Sequence, residues 1–537
     1  MKKVIKCLTI VSILGVISIP SFAIKKRFDD AVVVKRGIAT HRIRYTPTDP
    51  YYKGTQKVDN KYQNILYNHI GNMETVWDSY TGKDVLVADI DSGIDINHPD
   101  FTNNIHPQSA YFYTEYENEE PDSPYEVKMQ VGTQYINHDY DDEYHEWVAH
   151  GTNTAGVIAA ENDGVGTVGI AYDAELLVIK VDFEDYSINE AIKYAVDLGA
   201  KVINMSFGGY SEPYYDGYEK KLHNEKYVDY FPNSDTSMIE GLNYAYNHGV
   251  ILIAAAGNEC TDTHSYPACN DHVIGVGALK ENSGTTAASY SNYNLASDTP
   301  NTNPSVDVVA PGTVVVPSYS GSRISGHSSY TKIQGTSFSC PVVVGAAAIW
   351  KEKNPAGTPD QFESQLYASA TDIGNTGWDR KYGYGAVDIE KLILNGVAPI
   401  EEIDDEISSF SLNETDISME IGAEFLLIID ANPSGIPFNA TYTSSNPSVA
   451  AVNKAGKISA LKTGNTTITV QINDLSVNCH VKVVRPTDDG NNGEDIVVHH
   501  LLCGGDIVTT STFLSLTSLL GFFLLKYRKK NKTQSSD

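Results

Sequence analysis

The stretch Gly335-Thr336-Ser337-Phe338-Ser339-Cys340-Pro341 decides how the rest of this 537-residue chain is read. It runs into Val342-Val343-Val344-Gly345-Ala346-Ala347-Ala348, a small, apolar series of the kind a core helix needs. Gly335 permits a tight turn just ahead of Ser337. A serine at a helix N-terminus has open backbone N–H groups and a positive dipole end beside it, which suits a developing oxyanion. Taken alone, the string fits an N-cap serine equally well.

Two other strings bear on that choice. The first is VLVADIDSGIDINHPDF, from Val85 to Phe101. Five of the six residues from Val85 to Ile90 are apolar, which predicts a buried strand ended by Asp91-Ser92-Gly93. A carboxylate at a strand end can orient an imidazole, although alone it also reads as a turn aspartate. The second is HGTNTAGVIAA, from His150 to Ala160, where the histidine precedes a small-residue helix and Gly151 allows close backbone approach. A lone histidine there would also fit a structural role.

Together the three strings give Asp91, His150 and Ser337 in chain order, the order in which subtilisin carries its triad. The chain therefore resembles the subtilase family from about Tyr62 to Leu394. Ser206-Phe207-Gly208-Gly209, Ala254-Ala255-Ala256-Gly257-Asn258 and the run KYGYGAVD from Lys381 to Asp388 add to the likeness. The resemblance implies an α/β fold, a three-layer domain whose mostly parallel sheet is flanked by helices. It also implies a serine endopeptidase acting on protein or peptide substrates. His150 would take the Ser337 proton and pass it to the leaving amine, while Asp91 holds the imidazole tautomer. Asn258 and the Ser337 N–H would form the oxyanion hole.

By the same resemblance, Ser206, Phe207 and Gly208 form one wall of the specificity pocket and Ala255, Ala256 and Gly257 the other. Ser265 lies at the floor and Glu259 near the rim, where a Lys or Arg side chain could reach it. An extended peptide would add as a strand to the Ser206 segment. The resemblance also implies a Ca²⁺ site on the loop after Ala160, with carboxylates from Asp100 and Asp163 and carbonyls from Glu161, Val165 and Thr167. Two departures stand out: Asn153 replaces a second histidine, and Cys340 occupies a position that is usually another small residue. Cys340 is expected to be a buried free thiol.

The net charge of −29 and pI of about 4.8 argue against nucleic acid as a partner. Met1-Lys2-Lys3, the apolar run Val4 to Ile19 and Ser21-Phe22-Ala23 read as a signal peptide spanning 1–23. Export makes a disulfide between Cys260 and Cys269 an expectation, with two free thiols as the alternative. Residues 24–61 read as an N-terminal arm or short propeptide, 62–397 as the peptidase domain and 398–407 as an acidic linker. Residues 408–485 alternate in short runs with turns at Asn432-Pro433 and Asn446-Pro447, a β-sandwich pattern. They resemble a bacterial immunoglobulin-like domain of the second type. A polar linker, 486–500, leads to 501–537. There the apolar run Ile507 to Leu525 and the following basic cluster predict a C-terminal transmembrane helix. That tail resembles a bacterial sorting signal and places the enzyme at the cell surface, held in the membrane or envelope.

Two competing readings are an inactive adhesin on a peptidase fold and a maturation enzyme for one exported peptide. The complete set Asp91, His150, Ser337 and Asn258 argues against the first. The insertions Thr102 to Trp147 and Tyr210 to Ser237 flank the catalytic strings and favour narrow selectivity.

Overall fold

The apolar run that begins at Val85 forms β1 (Leu86–Asp91), a central strand of an eight-stranded sheet. The computed structural model describes residues 46–52, 56–59, 61–116, 125–137, 149–210, 214–217, 220–223, 237–318, 329–394 and 406–485. The expected signal peptide, polar linker and C-terminal anchor lie outside these residues, as does most of the acidic linker. Among the described residues no helix is long and apolar enough to cross a membrane.

In chain order the strands continue as β2 (Ala110–Tyr116), β3 (Tyr125–Val131), β4 (Glu175–Val181), β5 (Val202–Met205), β6 (Tyr214–Asp216), β7 (Lys221–His223), β8 (Ile251–Ala255), β9 (Val273–Leu279), β10 (Val308–Pro311), β11 (Thr313–Pro317) and β12 (Tyr330–Gln334). The helices are α1 (Asn64–Tyr67), α2 (Met73–Trp77), α3 (His150–Ala159), α4 (Asp185–Asp197), α5 (Ser237–Asn247), α6 (Thr336–Lys353), α7 (Pro359–Ser369) and α8 (Ile389–Leu394).

The large sheet has the order β10-β9-β8-β5-β1-β4-β2-β3, and every pairing is parallel except β2 with β3. The order reverses at β1, because the chain builds outward to β4 on one side and β5 on the other. Crevices at the carboxyl ends of strands beside such a reversal are where open α/β sheets bind ligands. Alternation along β1 serves both faces. Val87 packs with α3 and α6 in one apolar layer, and Ala88 and Ile90 pack with α4 and α5 in the other. This is the expected three-layer arrangement.

The fold begins earlier than residue 62. Tyr52 is 2% exposed and joins the main core, its ring 5.2 Å from Tyr67 and 5.8 Å from Trp77. Tyr51 donates its N–H to the Gly166 carbonyl at 3.1 Å. Tyr52 therefore packs with the main core, and Tyr51 is held to the loop after α3.

From Ser409 to Val484 the described chain is all β, with nine short strands in several small sheets. The longest pair, Gly464–Ile472 and Leu475–Val484, is antiparallel, and its inward residues Ile468, Val470, Ile472, Cys479 and Val481 form the core. Cys479 is a free, buried thiol. This sandwich docks on α4 and α5. The Phe438 N–H donates to Asn247 O at 2.8 Å, and Lys454 reaches Asp197 at 2.5 Å. Glu240 of α5 is 2% exposed and accepts from Lys193 at 3.1 Å and from Asn453 of the sandwich at 2.9 Å. Its other oxygen lies 3.9 Å from Lys457.

Lys193 also meets Glu190 at 2.5 Å and Lys457 meets Glu424 at 2.6 Å, so losing Glu240 removes a buried partner without leaving either lysine unpaired. Glu240→Ala is expected to lower stability by about 1–3 kcal/mol and to expose the sandwich junction. Urea unfolding monitored by both fluorescence and limited proteolysis checks it. Unchanged midpoints would mean that the Glu240 cluster does not hold the two parts together.

Candidate active site

Three strand ends and two helix starts meet at the carboxyl edge of the sheet. Asp91 is the last residue of β1 and is 1% exposed. Gly93 follows with φ +102°, and a Cβ there would lie 2.4 Å from the Ile136 carbonyl, so the turn requires glycine. His150 opens α3, and its Nδ1 lies 2.9 Å from each Asp91 oxygen. The Ser92 N–H donates to Asp91 Oδ1 at 2.6 Å. Ser337 is the second residue of α6 and is half-buried, while Phe338 to Trp350 are buried. The Phe338 ring lies 5.7 Å from the His150 ring. Pro341 has no N–H, so the Ser337 carbonyl lacks the helical partner it would otherwise have.

Asn258 follows β8 through Gly257, whose φ is +100°. Its Oδ1 accepts from the Thr336 N–H at 2.8 Å and from the Thr336 hydroxyl at 3.1 Å. The same hydroxyl accepts from the Gly257 N–H at 3.1 Å. With the amide oxygen engaged in this clamp, the Nδ2 end is left to donate. Thr336 is therefore the residue that aims Asn258.

Burial pulls the His150 imidazole toward the neutral form. The Asp91 charge and hydrogen bond more than offset it, so its pKa is raised above the ordinary value.

The segments expected to form the pocket walls lie side by side. A Cβ on Gly208 would lie 2.8 Å from Ser265 Oγ, 3.0 Å from the Tyr266 carbonyl and 3.7 Å from the Ala255 carbonyl. Gly209 and Tyr266 exchange backbone hydrogen bonds at 2.9 Å, and the Tyr266–Pro267 bond is cis. Asn153 is buried and donates to Pro317 O at 2.6 Å.

Glu259 departs from the expectation. Its Oε2 accepts from the Asn258 N–H at 2.6 Å, from Asn292 Nδ2 at 3.2 Å and from the Tyr210 hydroxyl. That oxygen braces the loop that carries Asn258 and does not stand at the rim to meet a cationic side chain. Asn292 also accepts from Glu259 N at 3.0 Å and Thr261 N at 3.1 Å. Neither Tyr210 nor Asn292 is marked by any motif. The acidic stretches 117–124 and 138–148 lie outside the described residues.

The expected disulfide is absent: Cys260 and Cys269 are both free thiols. Cys260 sits at φ +51° with its sulfur toward Gly217, where a Cβ would lie 3.5 Å from it. Cys269 is turned inward, and burial pushes its thiol pKa well up. Cys340 is free and fully buried, as expected, and its Sγ donates to Asn204 Oδ1 at 3.1 Å.

The loop after Ala160 is only partly as expected. Asp100 is engaged by protein donors: Oδ2 accepts from Thr167 N at 3.0 Å and Thr167 Oγ1 at 2.6 Å, and Oδ1 accepts from Tyr330 OH at 2.6 Å. Asp163 accepts from Val165 N at 2.9 Å. Among the described residues no cluster of three or more acidic, His or Cys side chains converges as a metal site would require. Yet the donor set fits a hard cation. Asp49 is 1% exposed, and its Oδ2 is a buried oxygen without a hydrogen bond. Burial, and then the Asp163 charge, push Asp49 and Asp100 each up to about 6. No described donor reaches the carbonyls of Glu161, Val165 or Thr167. Asp49 went unnoticed in the sequence because it lies in the segment read as an arm.

Both parts of the chain match families of known proteins. A family model described as the subtilase family matches residues 82–385, and one for the group 2 bacterial Ig-like domain matches 409–482. Fervidolysin of Fervidobacterium pennivorans is 30% identical over 357 residues, which cover 62% of this chain and 44% of fervidolysin. The chain thus spans less than half the length of that relative. Subtilisin BL of Lederbergia lenta is 31% identical over 315 residues, covering 58% of this chain and 91% of that protein. The crystal structure of fervidolysin aligns with a TM-score of 0.46 at 25% identity, over 75% of this chain and 54% of that one.

A base must be neutral to accept a proton, and the His150 pKa is raised above 6.5. Activity therefore falls as pH drops through that raised pKa. The acid limb of kcat/KM is expected above pH 6.5 and should move down in Asp91→Asn. Rate measurements across pH check this. A limb below the ordinary histidine value would mean that Asp91 does not hold the imidazolium.

Proposed function

This chain belongs to the subtilase family of serine endopeptidases, and on that footing we propose that it cuts exported or extracellular polypeptides through Ser337, His150, Asp91 and Asn258. The observation that carries the reading is the doubly held His150 Nδ1, at 2.9 Å from both Asp91 oxygens. That contact fixes the tautomer and leaves Nε2 as the base. Ser337 Oγ attacks the scissile carbonyl carbon, and its proton passes to His150 Nε2. The oxyanion forms between Asn258 Nδ2 and the Ser337 N–H. His150 then protonates the leaving amine, and water resolves the acyl-enzyme by the same path.

Substrate lies extended along Ser206, Phe207 and Gly208, with one side chain directed between that wall and Ala255 to Gly257. Backbone pairing gives affinity and the pocket gives selectivity. Glycine at 208 keeps the passage open, because a side chain there would meet Ser265 and Tyr266. The two ends of the sequence support export and surface attachment. The leader Met1 to Ala23 opens the chain, and an apolar run followed by lysines and an arginine closes it.

A structural Ca²⁺ ion is part of the proposal. Asp49, Asp100, Asp163 and the carbonyls of Glu161, Val165 and Thr167 would hold it. It would offset the mutual repulsion of the three carboxylates and tie the N-terminal segment to the loop.

Ser337→Ala is expected to abolish peptide hydrolysis and fluorophosphonate labelling while leaving the melting curve within a degree or so of wild type. Labelling that persists in the folded variant would remove Ser337 from its role. Chelation should lower Tm by about 5 °C or more, as expected for loss of an ion present at about 100 times its Kd. Asp49→Asn should blunt that response. A Tm indifferent to chelator would leave these residues as an ordinary turn.

A further inference from the structure

Asp89 has no part in the roles given above, yet it lies two residues before Asp91 on the same strand and is 0% exposed. Period-two alternation turns both carboxyl groups to the same face, toward α3 and α6. A strand buried on both faces is expected to be apolar throughout. Asp89 breaks that run in the most enclosed part of the fold, and among the described residues no lysine or arginine pairs with it. Its partners are neutral. Asn204 Nδ2 donates to Oδ1 at 2.7 Å, and Thr154 Oγ1 lies 3.2 Å from Oδ2.

Counting protons decides its state. The Thr154 hydroxyl has one hydrogen and three acceptors around it: Asp89 Oδ2, Asp91 Oδ2 at 3.5 Å and the Gly151 carbonyl at 3.1 Å. Were both carboxylates ionised, two buried like charges would compete for that one hydrogen, with no cation between them. A proton on Asp89 removes the conflict. The acid O–H donates to Thr154 Oγ1, and Thr154 turns its own hydrogen to the Gly151 carbonyl, one peptide from His150. Asn204 meets the remaining oxygen as a carbonyl.

We infer that Asp89 is a neutral carboxylic acid that serves as a positioning residue, holding the first turn of α3 through Thr154 and leaving Asp91 as the one charge behind His150. Burial, and then the Asp91 charge, push Asp89 up to about 8, with the two donors pulling it back. The titratable groups that face it are Asp91 on its own strand, His150 on α3 and the Cys340 thiol on α6. At its register β4 offers Val178 and β5 offers Asn204. Burial and the nearby carboxylates keep Cys340 protonated far above neutral pH, so it does not compete. The sign follows. Below about pH 8 the acid is neutral and the chain of donors is complete. Above it, Asp89 ionises, takes the Thr154 hydrogen from Gly151, and adds a second negative charge that strengthens the hold of His150 on its proton.

This rests on Asp91 and His150 acting as proposed above, so the test has an arm that does not use activity. Infrared spectra of the Ser337→Ala protein are recorded against pH, alone and with Asp89→Asn. A carbonyl band of a buried carboxylic acid at neutral pH is expected, lost on alkaline titration and missing with Asp89→Asn. In parallel, kcat/KM is followed across pH for wild type, Asp89→Asn and Asp89→Val. Asparagine presents the same neutral donor and acceptor as the protonated acid, whereas valine presents neither. Asp89→Val should lower kcat by about 10- to 100-fold with KM little changed, the scale of one hydrogen bond in a charged site. Asp89→Asn should recover most of that loss and lack the alkaline limb of wild type. No acid band at neutral pH, or an asparagine variant as impaired as the valine one, would overturn the inference. Inactive wild-type enzyme that still shows the band would sink the endopeptidase reading and leave the neutral acid standing.

Discussion

One imidazole nitrogen facing two carboxylate oxygens at equal distance sets the geometry of the whole catalytic edge. That contact needs a rigid carboxylate, and Asp91 has one because it ends a strand paired on both sides. It also needs a histidine whose backbone cannot drift, and His150 has one because it starts a buried helix against that sheet. The same edge receives Asn258 from the end of β8 and Ser206 from the end of β5. Groups on strand ends inherit the precision of the sheet, whereas groups on free loops do not. The clamp between Thr336, Gly257 and Asn258 extends this by tying the start of α6 to the loop after β8 without using Ser337.

The β-sandwich is joined to the helical layer on the face remote from that edge. Its contacts with α4 and α5 are polar and specific, centred on Glu240 and supplemented by Lys454 over the Tyr244 ring at 5.2 Å. Polar junctions of this kind hold orientation more than they add stability, since desolvation offsets much of the Coulomb attraction. The sandwich is thereby part of the enzyme body, and its own core of alternating apolar residues is independent of the catalytic one.

Much of this was legible in the sequence because the decisive signals are local. The run before Asp91, the small residues after His150 and the string around Ser337 each specify an element and its end within a dozen residues. The pocket walls were expected, by resemblance, from two further strings, Ser206 to Gly209 and Ala254 to Asn258. What was not legible depends on distant partners. Glu259 reads as a rim carboxylate until Tyr210 and Asn292, 49 and 33 residues away, are seen to turn one of its oxygens inward. Asp49 reads as part of an arm until burial leaves its oxygen without a donor. Cys260 and Cys269 read as a bridge because spacing says nothing about the direction of a side chain. Asp89 is a single polar letter in an apolar run, and only the count of donors around Thr154 gives it meaning.

Asn204 has a consequence for how such an enzyme can change. Its Nδ2 holds the Asp89 carboxyl behind the triad, while its Oδ1 accepts from Ser206 at 3.1 Å and from Cys340 at 3.1 Å. One amide therefore joins the carboxyl two residues before Asp91 to the serine that follows β5 and to a thiol of α6. All of them are buried, so neither salt nor surface charge can retune one without the other. A change at Ser206 therefore alters the hydrogen bonding of the same amide that holds Asp89, and a change at Asp89 is felt at Ser206. The two positions are tied through a single residue.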